Sequence, residues 1–227
     1  MYEIKINRKK AIKNWWYYYK WYVICGIILL GIACNLIINA LGLWKKKPDI
    51  QIAYIGKTAL PQDTISALEQ AFTSIAGDYN QDGKIIVKVN QYIDGIQNSD
   101  VETAYYEYAS EISLIGDISD CESYFFLMDD PDNFQREFQL LAARDGSCPD
   151  TMDYAAGKVI AWSDCTTLAE MELGSYTTIV LGETLTGSNQ ELLSTLFLGR
   201  RCFFTDDRTD NVEQCSTLWE LLADTAK

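Results

Sequence analysis

The segment Asp78-Tyr79-Asn80-Gln81-Asp82-Gly83-Lys84 places side-chain oxygens at its first, third and fifth positions and a glycine at its sixth. That spacing lets a calcium loop converge hard oxygen ligands on one ion, the glycine permitting the sharp turn. In this reading Asp78, Asn80 and Asp82 ligate through their side chains and Lys84 through its backbone carbonyl. The bidentate glutamate expected at position 12 is replaced by Val89, so Asp94 or Asp100 would have to close the shell. The same residues suit a plain helix-to-strand turn, because Asn, Asp and Gly tolerate left-handed dihedral angles. Both readings stand, and any Ca2+ would be a structural ion.

A second group of candidates is acidic. Asp129, Asp130 and Asp132 follow an apolar run, and ligands of open parallel sheets bind beyond the carboxyl ends of the strands. The same rule nominates Gly56, Lys57 and Thr58 after the first strand, so Gly56, Lys57, Thr58, Asp129 and Asp130 form the candidate ligand-binding set. A carboxylate-dependent hydrolase is the less favoured use of these acids; the plainer use is capping of the next helix. The chain has no histidine, which removes Ser-His-Asp and Cys-His catalysis and most catalytic zinc sites. Gly-x-Ser-x-Gly and phosphate-cradling glycine loops are also missing from it. A non-catalytic protein is expected.

The elements that would position these residues follow from periodicity. Asp49–Ile55 reads as a strand, and Pro61 opens an amphipathic helix with Ile65, Leu68, Phe72 and Ile75 on one face. Ile85–Gln91 alternates as a second strand. Ser99-x-x-Glu102 is a capping box for a second helix, whose stripe of Val101, Tyr105, Tyr108, Ile112 and Ile115 is expected to face the core. Tyr124–Met128 is continuously apolar, as in a strand covered on both faces, and Asp130 can cap a helix beginning at Pro131. Lys158–Trp162 and Thr177–Leu181 read as further strands. Ser188-x-x-Glu191 and Thr217-x-x-Glu220 read as caps of two later helices, and Gly146–Gly157 as an internal loop or boundary. Strand alternating with helix predicts an α/β fold with a mainly parallel sheet flanked by helices.

Ahead of this body stands an uncharged run from Val23 to Leu43, long enough as a helix to cross the roughly 30 Å hydrocarbon core of a bilayer. The chain therefore divides into a basic, aromatic cytoplasmic head (1–22), a transmembrane helix (23–44), a linker (45–48) and an extracytoplasmic α/β domain (49–227). Six Lys and Arg precede the span against Lys45, Lys46 and Lys47 after it, so the N-terminus is expected in the cytoplasm. Trp15 to Tyr22 on one side and Trp44 on the other suit the two interfaces. A cleaved signal peptide shares the charged start and apolar middle, and a lipid anchor at Cys34 is a third option. The first 47 residues hold nine basic and one acidic residue, net +8; the remainder holds ten and 31, net −21. So acidic a surface repels nucleic acid and anionic headgroups; the expected partners are the membrane and a protein or small solute.

Of seven cysteines, Cys25 and Cys34 fall in the span; among the other five, Cys202 with Cys215 is the expected pair. Arg200-Arg201 is the one adjacent basic pair of the acidic body, suited to an acidic partner or to Asp206 and Asp207 nearby.

The order DIQIAYIG, helix, strand, helix and EISLIGDISDCESYFFLMDDPDNFQ, over Asp49 to about Leu141, resembles the first lobe of bacterial extracellular solute-binding proteins of the type 2 periplasmic-binding class. The resemblance implies a three-layer, membrane-anchored lobe acting in recognition, or as an accessory to a membrane assembly. The outer part is about half the usual length for the family, so a second lobe would be small or absent. A protein-partner-binding domain with a calcium-stabilised loop is the alternative.

Overall fold

The structure, a computed structural model, describes residues 8–40, 47–94, 101–148, 154–180, 183–204 and 211–226, with backbone alone at 8–12, 38–40, 101–104 and 180. The chain forms two compact units, Met1–Lys46 and Lys47–Lys227. Trp44, Lys45, Lys46, Ser99, Asp100, Leu181, Asp206 and Asp207, and the side chains of Val101 and Glu102, lie outside the described set.

The described residues of the first unit form one helix, α1 (Arg8–Ala40). Its segment Lys13–Ile37 is long and apolar enough to cross a membrane, as a signal sequence also would be, and none of its apolar stretch is buried by protein. The helix runs through the boundary expected at residue 22. Trp15 and Tyr19 stack 5.8 Å apart on it, and the Lys20 ammonium lies 5.6 Å from the Tyr17 ring centroid. The aromatic head is thus the first part of the same helix, the long side chains of its lysines being able to reach past their apolar neighbours.

The second unit is built on β1 (Ile50–Gly56), α2 (Gln62–Ile75), β2 (Val87–Ile93), α3 (Val101–Asp120), β3 (Phe125–Met128), α4 (Pro131–Phe138) and β4 (Val159–Ala161). After a single 3-10 turn come α5 (Thr166–Ala169), β5 (Ser175–Val180), β6 (Glu183–Ser188), α6 (Asn189–Leu193), β7 (Phe197–Arg200) and α7 (Val212–Asp224). The main sheet has the order β2-β1-β3-β7-β4, and β5-β6 is a separate antiparallel hairpin. β1 runs parallel to β2 and β3, and β7 runs antiparallel to β3 and β4, so four of the five strands share one direction. Helices flank this mainly parallel sheet.

Alternation along the strands fills two apolar clusters. Ile52 and Tyr54 of β1 join Phe125, Leu127 and Val89 with Leu68 and Phe72 of α2 and Trp219 of α7. Ala53 and Ile55 join Phe126 and Met128 with Leu114 of α3 and Phe134 of α4. Both faces of β3 are therefore covered, which is why its sequence is an unbroken apolar run. At Gly199 of β7 a Cβ would lie 2.7 Å from a Leu141 methyl, so a larger residue in this short strand would have to displace the packed Leu141 side chain.

Three expectations are corrected. The α3 stripe does not enter the core: Tyr105, Tyr108, Ile112 and Ile115 are exposed, and the helix packs through Ser110, Leu114, Asp117 and Ile118. Thr217 caps nothing, because α7 starts at Val212 and the Thr217 hydroxyl donates back to the Glu213 carbonyl (2.9 Å) within the helix. Cys202 pairs with Cys148, not Cys215; the Cα atoms of the bonded pair are 5.6 Å apart, whereas Cys215 faces the core from α7. Of the two readings of Gly146–Gly157, the internal loop fits: both glycines are left-handed (φ 90° and 77°) inside one compact unit.

Candidate functional site

Strand β1 sends its successors to opposite sides, to β2 and then by crossover to β3, so the carboxyl ends of β1 and β3 form the sheet's switch point. The loops nominated there do meet. The Lys57 amide donates to Asp129 Oδ2 (2.9 Å) across 72 residues of sequence, and the Asp129 amide donates to the Ile55 carbonyl (3.3 Å). The Tyr54 hydroxyl donates to the Thr58 carbonyl (2.8 Å), and its phenol covers Gly56 so closely that a Cβ there would strike it. Burial, then the Asp129 charge, pushes the Tyr54 hydroxyl up to about 12. Lys57, Thr58 and Asp130 are exposed, and Asp129 is half-buried.

Each acid of this group holds a backbone amide. Asp130 caps α4 by accepting from the Asn133 amide (3.1 Å), with Pro131 in the first turn as the sequence predicts. Asp132 accepts from the Ala155 amide (2.9 Å) and so ties α4 to the loop before β4. The switch-point residues come together as a bonded loop junction, with the Lys57 side chain at its exposed rim.

The Asp78 loop turns its oxygens inward. Asp78 accepts from the amides of Asp82 (3.1 Å) and Gly83 (2.8 Å), Asn80 Oδ1 from Asp82 (2.9 Å), and Asp82 from Lys84 (3.0 Å). Gln81 and Gly83 sit at φ 56° and 80°, the left-handed geometry of a tight polar turn. Asp94, one residue past β2, lies beyond the far end of that strand, roughly 20 Å from its start at the rise of an extended chain, and cannot close a shell here. Asp100 is outside the described residues. Among the described residues no group of three or more His, Cys, Asp or Glu is placed to hold a metal ion.

Sequence reasoning missed the residue that anchors this loop. Asp49, 3% exposed, accepts from the amides of Tyr79 (2.8 Å), Asn80 (3.0 Å) and Ile86 (2.7 Å), binding the whole turn to the start of β1. It also missed Asp117, which takes the Tyr92 hydroxyl (2.8 Å), the Ser123 amide (2.9 Å) and the Ser123 hydroxyl (2.6 Å), with Arg201 Nη2 at 3.7 Å. Neither carries a local sequence signal, since every partner comes from another element.

The Arg200-Arg201 pair is buried, not a basic surface. Arg200 stacks 5.3 Å from the Trp219 ring and donates to Ser216 and the Arg144 carbonyl; Arg201 lies 5.3 Å from the Phe126 ring and donates to the carbonyls of Ser123 and Ile118. Burial holds the Arg201 guanidinium below its ordinary pKa. Its ion-pair partner is Asp117.

Two further features border the sheet. A groove of about 470 Å³ runs along edge strand β2 beside α2, where the Val89 amide is taken by Glu69 (3.0 Å) and the Leu60 amide by Gln91 (2.7 Å). At the other end of β2, Asp94, Glu111 and Glu137 line a small cleft between β2, α3 and α4. Burial, followed by the charges of Asp94 and Glu111, holds the Glu137 carboxyl above its ordinary pKa. Comparison of the chain with protein-family models, with curated proteins and with solved structures returns no match.

Proposed function

We propose that this protein is a membrane-tethered, non-catalytic recognition module. It presents a three-layer α/β lobe on the outer face of a membrane, with its N-terminus in the cytoplasm, as an accessory to a membrane assembly. The observation that carries the reading is the helix Lys13–Ile37, apolar and covered by no protein, joined in sequence to a compact α/β unit. The excess of basic residues before the span supports the orientation. The Cys148–Cys202 disulfide supports an oxidising compartment for the second unit.

The solute-binding lobe remains the nearest analogy, supported by strand order β2-β1-β3 and by helices against both apolar clusters. Recognition here would use the surface of one lobe. Among the described residues, 162–196 between β4 and β7 supply short helices and the β5–β6 hairpin, and the loops at the switch point are bonded to one another. Protease protection of the full chain in sealed membrane vesicles, with a tag at each terminus, tests the reading. The C-terminal tag is expected to be cut only from the outer side, the N-terminal tag only from the inner side, and both to stay with the membrane at alkaline pH. A released outer unit with a new N-terminus beyond the span would identify a signal peptide and overturn the tether.

A further inference from the structure

The face of α3 that the fold leaves uncovered has the makings of a docking seam. Tyr105, Tyr108, Ile112 and Ile115 are 70%, 62%, 52% and 47% exposed, and they follow one another at intervals of three and four. That alternation keeps a continuous apolar stripe toward a second helix. Ala109 and Gly116, seven residues apart and both exposed, flank the stripe, and nothing lies within 4 Å of a Cβ built at Gly116. Small residues at that spacing let a partner backbone approach to roughly 8–10 Å.

The stripe is no by-product of how α3 packs. The buried side of the helix is held by polar tethers, the Ile93 amide donating to Ser110 Oγ (2.6 Å) and the Tyr92 hydroxyl to Asp117 (2.8 Å), around buried Leu114 and half-buried Ile118. Tyr105, Tyr108, Ile112 and Ile115 point the other way. Contiguous exposed apolar surface of this kind marks interaction sites on soluble domains.

Charge selects the occupant. Helix α3 carries Glu102, Glu107, Glu111, Asp117 and Asp120 and no Lys or Arg. Glu111 borders the stripe and shares its cleft with two further carboxylates, Asp94 and Glu137. A second copy of α3 would set acid against acid between two bodies of net −21. A helix with lysine or arginine beside its apolar stripe would relieve that field.

We propose that the solvent face of α3 docks an amphipathic helix of a partner protein whose apolar stripe is flanked by basic residues. This deepens the recognition reading and rests on it, but its test is independent of membrane topology. The probe is a fluorescent 21-residue peptide of three heptads, with leucine at the seam positions and lysine beside them, titrated by anisotropy against the full chain in zwitterionic nanodiscs. Saturable binding is expected. It should weaken about tenfold or more in Tyr108→Ser/Ile112→Ser, which leaves charge unchanged, and roughly threefold in Glu111→Lys. The same peptide with glutamate at the flanks should not bind. Because these side chains are exposed, the thermal midpoint of each variant should match the parent. Absence of saturable binding, equal binding by the double serine variant, or equal binding of the glutamate peptide overturns the proposal. So does self-association of the parent that the double variant abolishes, which would seat a second copy on the stripe.

Discussion

The Asp49 carboxylate is buried and receives three backbone amides, from Tyr79, Asn80 and Ile86. Removing it leaves three donors without their acceptor, whereas removing Asp78 frees two amides in an exposed turn that water can reach. Asp49→Ala is expected to cost about 3 kcal/mol and Asp78→Ala at most about 1 kcal/mol. For a unit of this size the first should lower the melting midpoint by about 6–12 °C. Equal shifts in a thermal melt without calcium would mean that the loop, not Asp49, holds the turn. Cys215 supplies a pH-dependent counterpart: burial, then the Asp49 charge, pushes its thiol from an ordinary 9.0 up to about 12. The unfolded thiol ionises first, so this stabilisation is complete below pH 9 and drains away as pH rises toward 12. Tyr54 adds a similar loss between pH 10 and about 12. Denaturant unfolding at stepped pH should show stability falling from about pH 9 in the parent and only from about pH 10 in Cys215→Ala. An unchanged onset in the variant would remove Cys215 as the cause.

Among the elements, those legible in the sequence are the ones whose burial follows from their own period. Helix α2 buries Ile65, Leu68 and Phe72 as its spacing predicts, β2 alternates buried Val87 and Val89 with exposed Lys88, and β3 is buried at every position. The caps by Asp130 and Ser188 were legible for the same reason, each reaching an amide three residues on. Helix α3 was legible as a helix and illegible in its facing. Its apolar period is more regular than that of α2, but a period cannot say whether the matching surface belongs to the same chain; here β2 presents an open amide at Ile93 and a hydroxyl at Tyr92, and the polar side of α3 answers them. Strand β7 escaped notice because it has four residues, a glycine and a buried arginine, and exists only by pairing between β3 and β4. The candidate site divides along the same line: the meeting of the Lys57 and Asp129 loops follows from sheet topology, while the Asp94–Glu111–Glu137 cleft joins three elements and leaves no local trace.

At the scale of the whole molecule, charge and sulfur point the same way. A basic head of net +5 (residues 1–22) precedes the apolar span and a body of net −21 (residues 48–227) follows it in sequence, and the body holds one disulfide that joins the loop after α4 to the segment after β7. Cys148 and Cys202 are 54 residues apart, and closing a loop of that length in the unfolded chain is worth about 4 kcal/mol on the chain-entropy account. Losing it should lower the midpoint of the second unit by roughly 8–16 °C. Its redox state in the native chain would test the proposed side of the membrane, because a reducing cytosol would leave both thiols free. Chain taken directly from membranes, denatured in detergent and treated with a polyethylene-glycol maleimide, is expected to gain five adducts, at Cys25, Cys34, Cys121, Cys165 and Cys215. Prior reduction should raise the number to seven, and Cys148→Ser should leave Cys202 reactive without reductant. Seven adducts before reduction, with the unit fully folded, would place the acidic body in a reducing compartment and reverse the orientation drawn from the basic head.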